Sequence, residues 1–337
     1  MSQTSNIKEL KDTFGRTHNY LRISLIEKCN LRCTYCMPAD GIALSPKATL
    51  MSAAEILEFA RIFVGLGVDK IRLTGGEPLL RKDISPILKG LSVLPVDLSL
   101  TTNGLLIDRH VDNFKKLGVK NINFSLDTLR EDRFFEITRR TGFQKTMDNF
   151  RLLHDQGFNL KINSVLVKGT NEDELVDLVN LTKDFNVSVR FIEFMPFDGN
   201  RWDKSKMVSE KEVLDQLGAE FGTDRISALP DEANFTARKF KIEGHRGDFG
   251  VISSVTNPFC GGCNRIRLTA NGRIKNCLFS NQETDLLSAM RAGEDVETLI
   301  LESILKKKAV RGGMDSIEKI SDPALHSDNR SMIAIGG

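Results

Sequence analysis

Six cysteines in this chain fall into two triplets, Cys29-x3-Cys33-x2-Cys36 and Cys260-x2-Cys263-x13-Cys277. Three thiolates so close in sequence converge on one centre, and soft sulfur donors suit iron–sulfur clusters or zinc. A four-iron cubane usually takes four cysteines, so a triplet leaves one iron open to a substrate. A structural zinc ion normally has four closed ligands, and no nearby histidine completes the first triplet. The second spacing also suits a zinc ribbon lacking its fourth ligand. Beside the first triplet it reads better as a second cluster with an open iron.

Arg265 and Arg267 follow the Cys260/Cys263 pair and alternate along a strand-like run, so both project to one face. Guanidinium forks at fixed positions suit phosphate oxygens. Alone, such a pair is usually a solvated strand face; beside an open cluster it becomes a candidate nucleotide contact. No Gly-x-x-x-x-Gly-Lys-Ser/Thr loop occurs, so a triphosphate would have to be gripped by side chains.

The elements that must position these residues can be read from periodicity. Strand-like runs at 21–26, 70–74, 97–101, 121–126, 161–167 and 188–194 alternate with helix-length segments. The helix over 52–66 opens with Ser52 and Glu55, the pattern of a capping box, and another over 171–185 opens with Asn171 and Glu174. Strand–helix units in series predict a parallel α/β sheet, doubly wound or rolled. The unusual residues sit just after strands: the first triplet, Gly75-Gly76-Glu77-Pro78, Thr101 to Gly104, Ser125 to Asp127, with Glu193 and Met195 at the end of the last. That placement favours an incomplete (β/α)6 barrel with one functional rim. After Pro196 the rhythm changes. Helices are expected at 209–217, 284–291 and 295–307, strands at 239–243 and 248–254, and a hairpin turns at Asn271-Gly272. The division is a 1–19 N-terminal extension, a 20–196 partial barrel, and a smaller 197–337 α+β C-terminal domain carrying the second cluster.

The 337 residues carry 47 Lys and Arg against 45 Asp and Glu, a net charge of +2. That balance gives no general attraction to nucleic acid or anionic membrane. The first sixteen residues lack the apolar core of a secretory signal, and no run of about eighteen apolar residues occurs. A cytoplasmic protein is expected, whose cysteines are metal ligands or thiols rather than disulfides.

The first triplet, with Tyr35 before its last cysteine and Gly75-Gly76-Glu77-Pro78 after the second strand, resembles the radical S-adenosylmethionine superfamily. The segment Cys260-Gly261-Gly262-Cys263-Asn264-Arg265-Ile266-Arg267 and the ending Arg330-Ser331-Met332-x-x-Ile335-Gly336-Gly337 resemble, more narrowly, the GTP 3′,8-cyclase family, which starts molybdenum cofactor biosynthesis. The resemblance implies two [4Fe-4S] clusters and S-adenosyl-L-methionine as cofactors, with GTP as substrate. It implies that a 5′-deoxyadenosyl radical removes hydrogen from the ribose C3′, which then attacks C8 to give 3′,8-cyclo-7,8-dihydro-GTP. Tyr35, Gly76, Ser125 and Met195 would face S-adenosylmethionine; Arg22, Arg72, Thr101, Lys161, Arg265 and Arg267 would contact GTP; Gly336 and Gly337 would reach the active site. Implied partners are a flavodoxin-type reductant and cyclic pyranopterin monophosphate synthase as recipient, with a homodimer as an allowed assembly. A peptide maturase with an auxiliary cluster is the nearest rival, and a protein with two structural zinc sites the rival of another class.

Overall fold

A computed structural model describes residues 9–325 and 329–337. The first six strands are β1 (Tyr20–Ser24), β2 (Lys70–Thr74), β3 (Asp97–Thr102), β4 (Asn121–Ser125), β5 (Asn159–Leu166) and β6 (Ser188–Glu193). All pair in parallel with their neighbours in sequence order. The crossovers carry helices α1 (Ala53–Gly65), α2 (Ile84–Leu91), α3 (Val111–Lys116), α4 (Glu131–Thr138), α5 (Phe143–Asp155) and α6 (Leu175–Asp184). This is the α/β pattern that the alternating periodicity predicts.

Helix α1 begins where expected. Ser52 accepts from the Glu55 N–H at 3.3 Å and Glu55 returns to the Ser52 N–H at 2.7 Å. Its apolar stripe, Ile56, Phe59, Ala60 and Phe63, is buried against the sheet at helical spacing. The start of α6 differs from the predicted box. Asn171 instead bonds the Asp127 and Val165 carbonyls, and Glu174 accepts from Thr128, Leu129 and Arg133. Contacts between loops have claimed the side chains that local capping would use.

Alternation along the strands separates core from site. The parity that buries Leu21 and Ile23, Ile71 and Leu73, Leu160 and Ile162, and Val189 and Phe191 faces the helices. The opposite parity projects Arg22, Arg72, Lys161, Asn163 and Arg190 to the other side. Arg72 on β2 and Arg190 on β6 line one cavity. Four strand spacings in a flat sheet would separate them by about 19 Å, so the sheet curves around that cavity.

The later strands form no separate sheet. They are β7 (Ile226–Ala228), β8 (Arg238–Ile242), β9 (Asp248–Ile252), β10 (Arg265–Leu268), β11 (Arg273–Lys275) and β12 (Thr284–Asp285). Among the described residues the twelve strands make one sheet of order β12-β11-β10-β1-β2-β3-β4-β5-β6-β9-β8-β7. Both β10 against β1 and β9 against β6 are parallel, so the C-terminal half extends the sheet at both edges. The β10–β11 hairpin turns at Asn271-Gly272, with Gly272 at φ +68°. Helices α7 (Glu210–Phe221), α8 (Leu286–Ala292), α9 (Val296–Leu305), α10 (Ile317–Ser321) and α11 (Met332–Ile335) complete this half.

Candidate active site

The loop after β1 carries Cys29, Cys33 and Cys36 into a cavity of about 1310 Å³. The carboxyl ends of β2 to β6 supply the rest of its wall: Gly75 and Gly76, Thr101 to Asn103, Ser125 to Asp127, Asn163, and Ile192 to Met195. Burial raises the thiols of Cys29 to about 11 and of Cys36 to about 12, and Cys33 well above its ordinary value. The Arg32 charge beside Cys29 offsets that burial only in part, which suits a site where a metal centre supplies further positive charge. Among the described residues no group of three or more His, Cys, Asp or Glu side chains closes on a single metal ion. All three cysteines line the cavity wall.

Tyr35 and Gly76 both reach this cavity and also shape it. The Tyr35 hydroxyl donates to Asp127 at 2.7 Å, and Asp127 accepts from the Val165 N–H at 2.8 Å. Burial raises the Asp127 carboxyl to about 6. A Cβ on Gly76 would lie 2.3 Å from the Lys28 carbonyl, so only glycine lets this segment abut the cysteine loop. The adjoining Glu77 accepts from Thr102, the Asn103 N–H and the Leu79 N–H, fastening the β2 loop to the β3 loop.

Cys260, Cys263 and Cys277 line a second cavity of about 1150 Å³ with Arg22, Arg72, Arg190, Arg265, Arg267 and Lys275. Among the described residues no Asp or Glu lines it. Register explains the clustering, since Arg22 stands beside Arg72 across β1–β2 and beside Arg267 across β1–β10. The Nε atoms of Arg22, Arg72 and Arg190 are buried with no partner among the described residues. Burial, with the Arg22 charge adding to it, lowers Arg72 to about 10. Burial also lowers Arg190, Arg265 and Arg267. A buried group of cations without carboxylates is built for a polyanion.

Arg265 and Arg267 share a face as predicted, but neither fork is free. Arg265 donates to the carbonyls of Asn234 (2.6 Å) and Phe235 (3.2 Å), and Arg267 donates to the Gly336 carbonyl. Lys161 does not line the second cavity itself but stays beside Arg72 and Arg265. It lines an adjoining polar cavity with Lys70, Arg72, Arg190 and Arg265. Burial, then Arg190, Arg72 and Lys70, lower it to about 8. Sequence reasoning missed Arg190 and Lys70. Arg190 shares strand parity with Ser188 and Ile192, and only the strand register sets it opposite Asn163.

Burial raises the Cys263 thiol, but the Lys307 and Arg265 charges outweigh it and bring the group down to about 7. The two cavities share Thr101, Asn163, Ile192, Met195, Met332 and Gly337 as walls. Residues 331–337 enter at this junction: Ser331 Oγ donates to the Cys36 carbonyl at 2.9 Å, and Ile333 to Ile335 are buried.

Residues 23–182 match the Radical SAM superfamily, and residues 187–312 match Molybdenum Cofactor Synthesis C. Over 334 residues the chain is 46% identical to the mitochondrial GTP 3′,8-cyclase of Arabidopsis thaliana, covering 97% of this chain and 83% of that one. It is 47% identical over 332 residues to molybdenum cofactor biosynthesis protein 1 of Bos taurus, covering 97% of this chain and 51% of that one. The chain thus spans about half the length of these animal relatives. Among solved structures, Streptococcus suis SuiB bound to S-adenosylmethionine superposes with a TM-score of 0.60 at 19% identity, over 84% of this chain and 66% of that one. That likeness is one of fold.

Proposed function

The chain belongs to the GTP 3′,8-cyclase family, and on that premise we propose that it converts GTP to 3′,8-cyclo-7,8-dihydro-GTP, the first step of molybdenum cofactor biosynthesis. The observation that carries the reading is the pair of adjoining cavities. Each holds one cysteine triplet, and the second is lined by cations without carboxylates.

In this reading the sheet is an incomplete (β/α)6 barrel, and residues 197–337 bring a second [4Fe-4S] cluster to its mouth. Cys29, Cys33 and Cys36 hold the first cluster, and Cys260, Cys263 and Cys277 the second. When bound, the first cluster and S-adenosylmethionine supply one-electron chemistry that generates a 5′-deoxyadenosyl radical. Gly76, Ser125 and Met195 line the wall where S-adenosylmethionine sits, and Tyr35 fixes the cysteine loop to Asp127. Arg22, Arg72, Arg190, Arg265 and Arg267 grip the triphosphate, with Lys161 and Lys70 reaching it from the adjoining cavity. Thr101, shared by both cavities, would lie between the S-adenosylmethionine and nucleotide sites. Within one molecule, ring closure exchanges the C3′–H bond and the C8=N7 π bond for C3′–C8 and N7–H bonds; the C3′ hydrogen leaves on 5′-deoxyadenosine, and the reductant and solvent supply one electron and one proton to N7. Orientation is therefore the main contribution these residues make.

A flavodoxin-type protein as reductant, cyclic pyranopterin monophosphate synthase as recipient, a homodimer and a cytoplasmic location complete the proposal. Among the described residues no helix is long and apolar enough to cross a membrane. The test is anaerobic reconstitution with iron and sulfide, then incubation with GTP, S-adenosylmethionine and dithionite, followed by mass analysis. A product isomeric with GTP, formed alongside 5′-deoxyadenosine, supports the reading. Colourless protein or unaltered GTP sinks it.

A further inference from the structure

Lys307 follows α9 and is 3% exposed. Its Nζ lies 3.4 Å from Cys263 Sγ and donates to the Arg265 carbonyl at 2.8 Å. Among the described residues no carboxylate lies within ion-pair distance of it. A buried ammonium without a counter-charge is costly, and the nearest group able to become an anion is the Cys263 sulfur.

The contact is braced from a distant part of the chain. Residues 9–18 form a small hairpin closed by the Lys11–Thr17 bridge. From it the Arg16 guanidinium donates to the carbonyls of Cys260 (2.8 Å), Ala309 (2.8 Å) and Lys308 (2.9 Å). Asp12 holds the same guanidinium at 2.6 Å and also meets His18 at 3.1 Å. One side chain thus staples the segment bearing Lys307 to the loop bearing the second triplet. The first triplet is served differently. Its sulfur contacts are neutral, the Leu31 N–H at 3.4 Å and the Asn103 amide at 3.8 Å from Cys29.

We propose that Lys307 is a positioning residue for the second cluster: its ammonium hydrogen-bonds the Cys263 sulfur, favours the reduced state, and makes this cluster easier to reduce than the first. The proposal rests on the two-cluster reading. A reduced cluster carries one more negative charge, so a fixed cation at a ligand sulfur stabilises it in a water-poor site.

The experiment is a reductive titration of the anaerobically reconstituted full chain, followed by electron paramagnetic resonance. Lys307→Met is expected to shift the second cluster's equilibrium toward the oxidised form by about tenfold or more, the scale of a charged hydrogen bond, or 59 mV for one electron. The first cluster's potential stays in place. Lys307→Gln keeps a neutral donor and shifts less than Met. If Lys307→Met fails to load iron, Lys307→Gln carries the readout, and a wild-type potential there overturns the role of the charge. Two clusters with an unmoved potential in Lys307→Met overturn this proposal alone. A wild-type protein that loads only one cluster sinks the two-cluster reading along with it.

Discussion

Arg267, on the strand that follows the Cys260/Cys263 pair, donates to the backbone carbonyl of Gly336 and so ties residues 331–337 into the second cavity. Gly336 has φ +81°, and a Cβ there would lie 2.5 Å from Thr74 Oγ1. No side chain fits without displacing the wall. Loss of Gly336 and Gly337 should leave iron content and thermal midpoint nearly unchanged, because little apolar surface is lost, whereas Gly336→Val must displace the wall or the tail. Cyclised product should fall roughly a hundredfold, the scale of an ångström-sized misplacement, while 5′-deoxyadenosine still forms. Product at the full rate would show the glycines to be dispensable.

Arg265→Ala and Arg267→Ala should each weaken GTP binding by roughly ten- to hundredfold, the scale of a lost charged hydrogen bond. Lysine should restore only part, lacking the planar fork. The two should differ in one respect. Arg267→Ala also releases Gly336, so it should uncouple 5′-deoxyadenosine formation from product, whereas Arg265→Ala should not. Calorimetric titration with GTP and product analysis together check this, and unchanged affinity in the double variant contradicts the assignment.

Lys161 gives nucleotide binding a pH dependence with a definite sign. Burial and its cationic neighbours lower it to about 8 in the free protein, so it is charged below that pH. A bound polyphosphate favours the ammonium and raises its pKa, so above pH 8 binding takes up a proton. Affinity should therefore fall as pH rises from 8, by up to about tenfold per unit. Lys161→Arg should flatten the profile, since a guanidinium stays charged throughout. Wild-type affinity that is level between pH 7.5 and 9.5 would exclude Lys161 from the phosphate site.

Cys33→Ala should abolish cleavage of S-adenosylmethionine while the second cluster survives, because the triplets lie in separate cavities. Iron should fall to about half, one cluster of two. Retained 5′-deoxyadenosine formation would show that Cys33 does not ligate the first cluster.

Local signals in the sequence proved reliable where the backbone itself answers to them. The strands, the Ser52–Glu55 box and the Asn271-Gly272 turn were all legible because period and turn chemistry are short-range. Asn171 and Glu174 misled because distant loops outbid the local cap for their side chains. The pairing of β10 with β1 left no local trace. The candidate site was visible as cysteines, glycines and the Arg265/Arg267 pair. The cation group around Arg190 was not, because it exists only once register sets separate strands side by side.

The β1–β10 pairing also bears on how the chain is made. Tyr20 must wait for Arg265, 245 residues later, before that edge of β1 is covered. At about 5–20 residues per second this leaves an unpaired apolar edge for roughly 12–50 s of synthesis. The opposite side of the barrel has a shorter wait, since β9 joins β6 from only some sixty residues on. A nascent chain therefore carries an exposed, partner-seeking strand beside the first cysteine loop until β10 has been made. Synthesis slowed between β6 and β10 lengthens that exposure, and with it the risk of edge-to-edge aggregation and of oxidation at Cys29, Cys33 and Cys36 before their wall is closed.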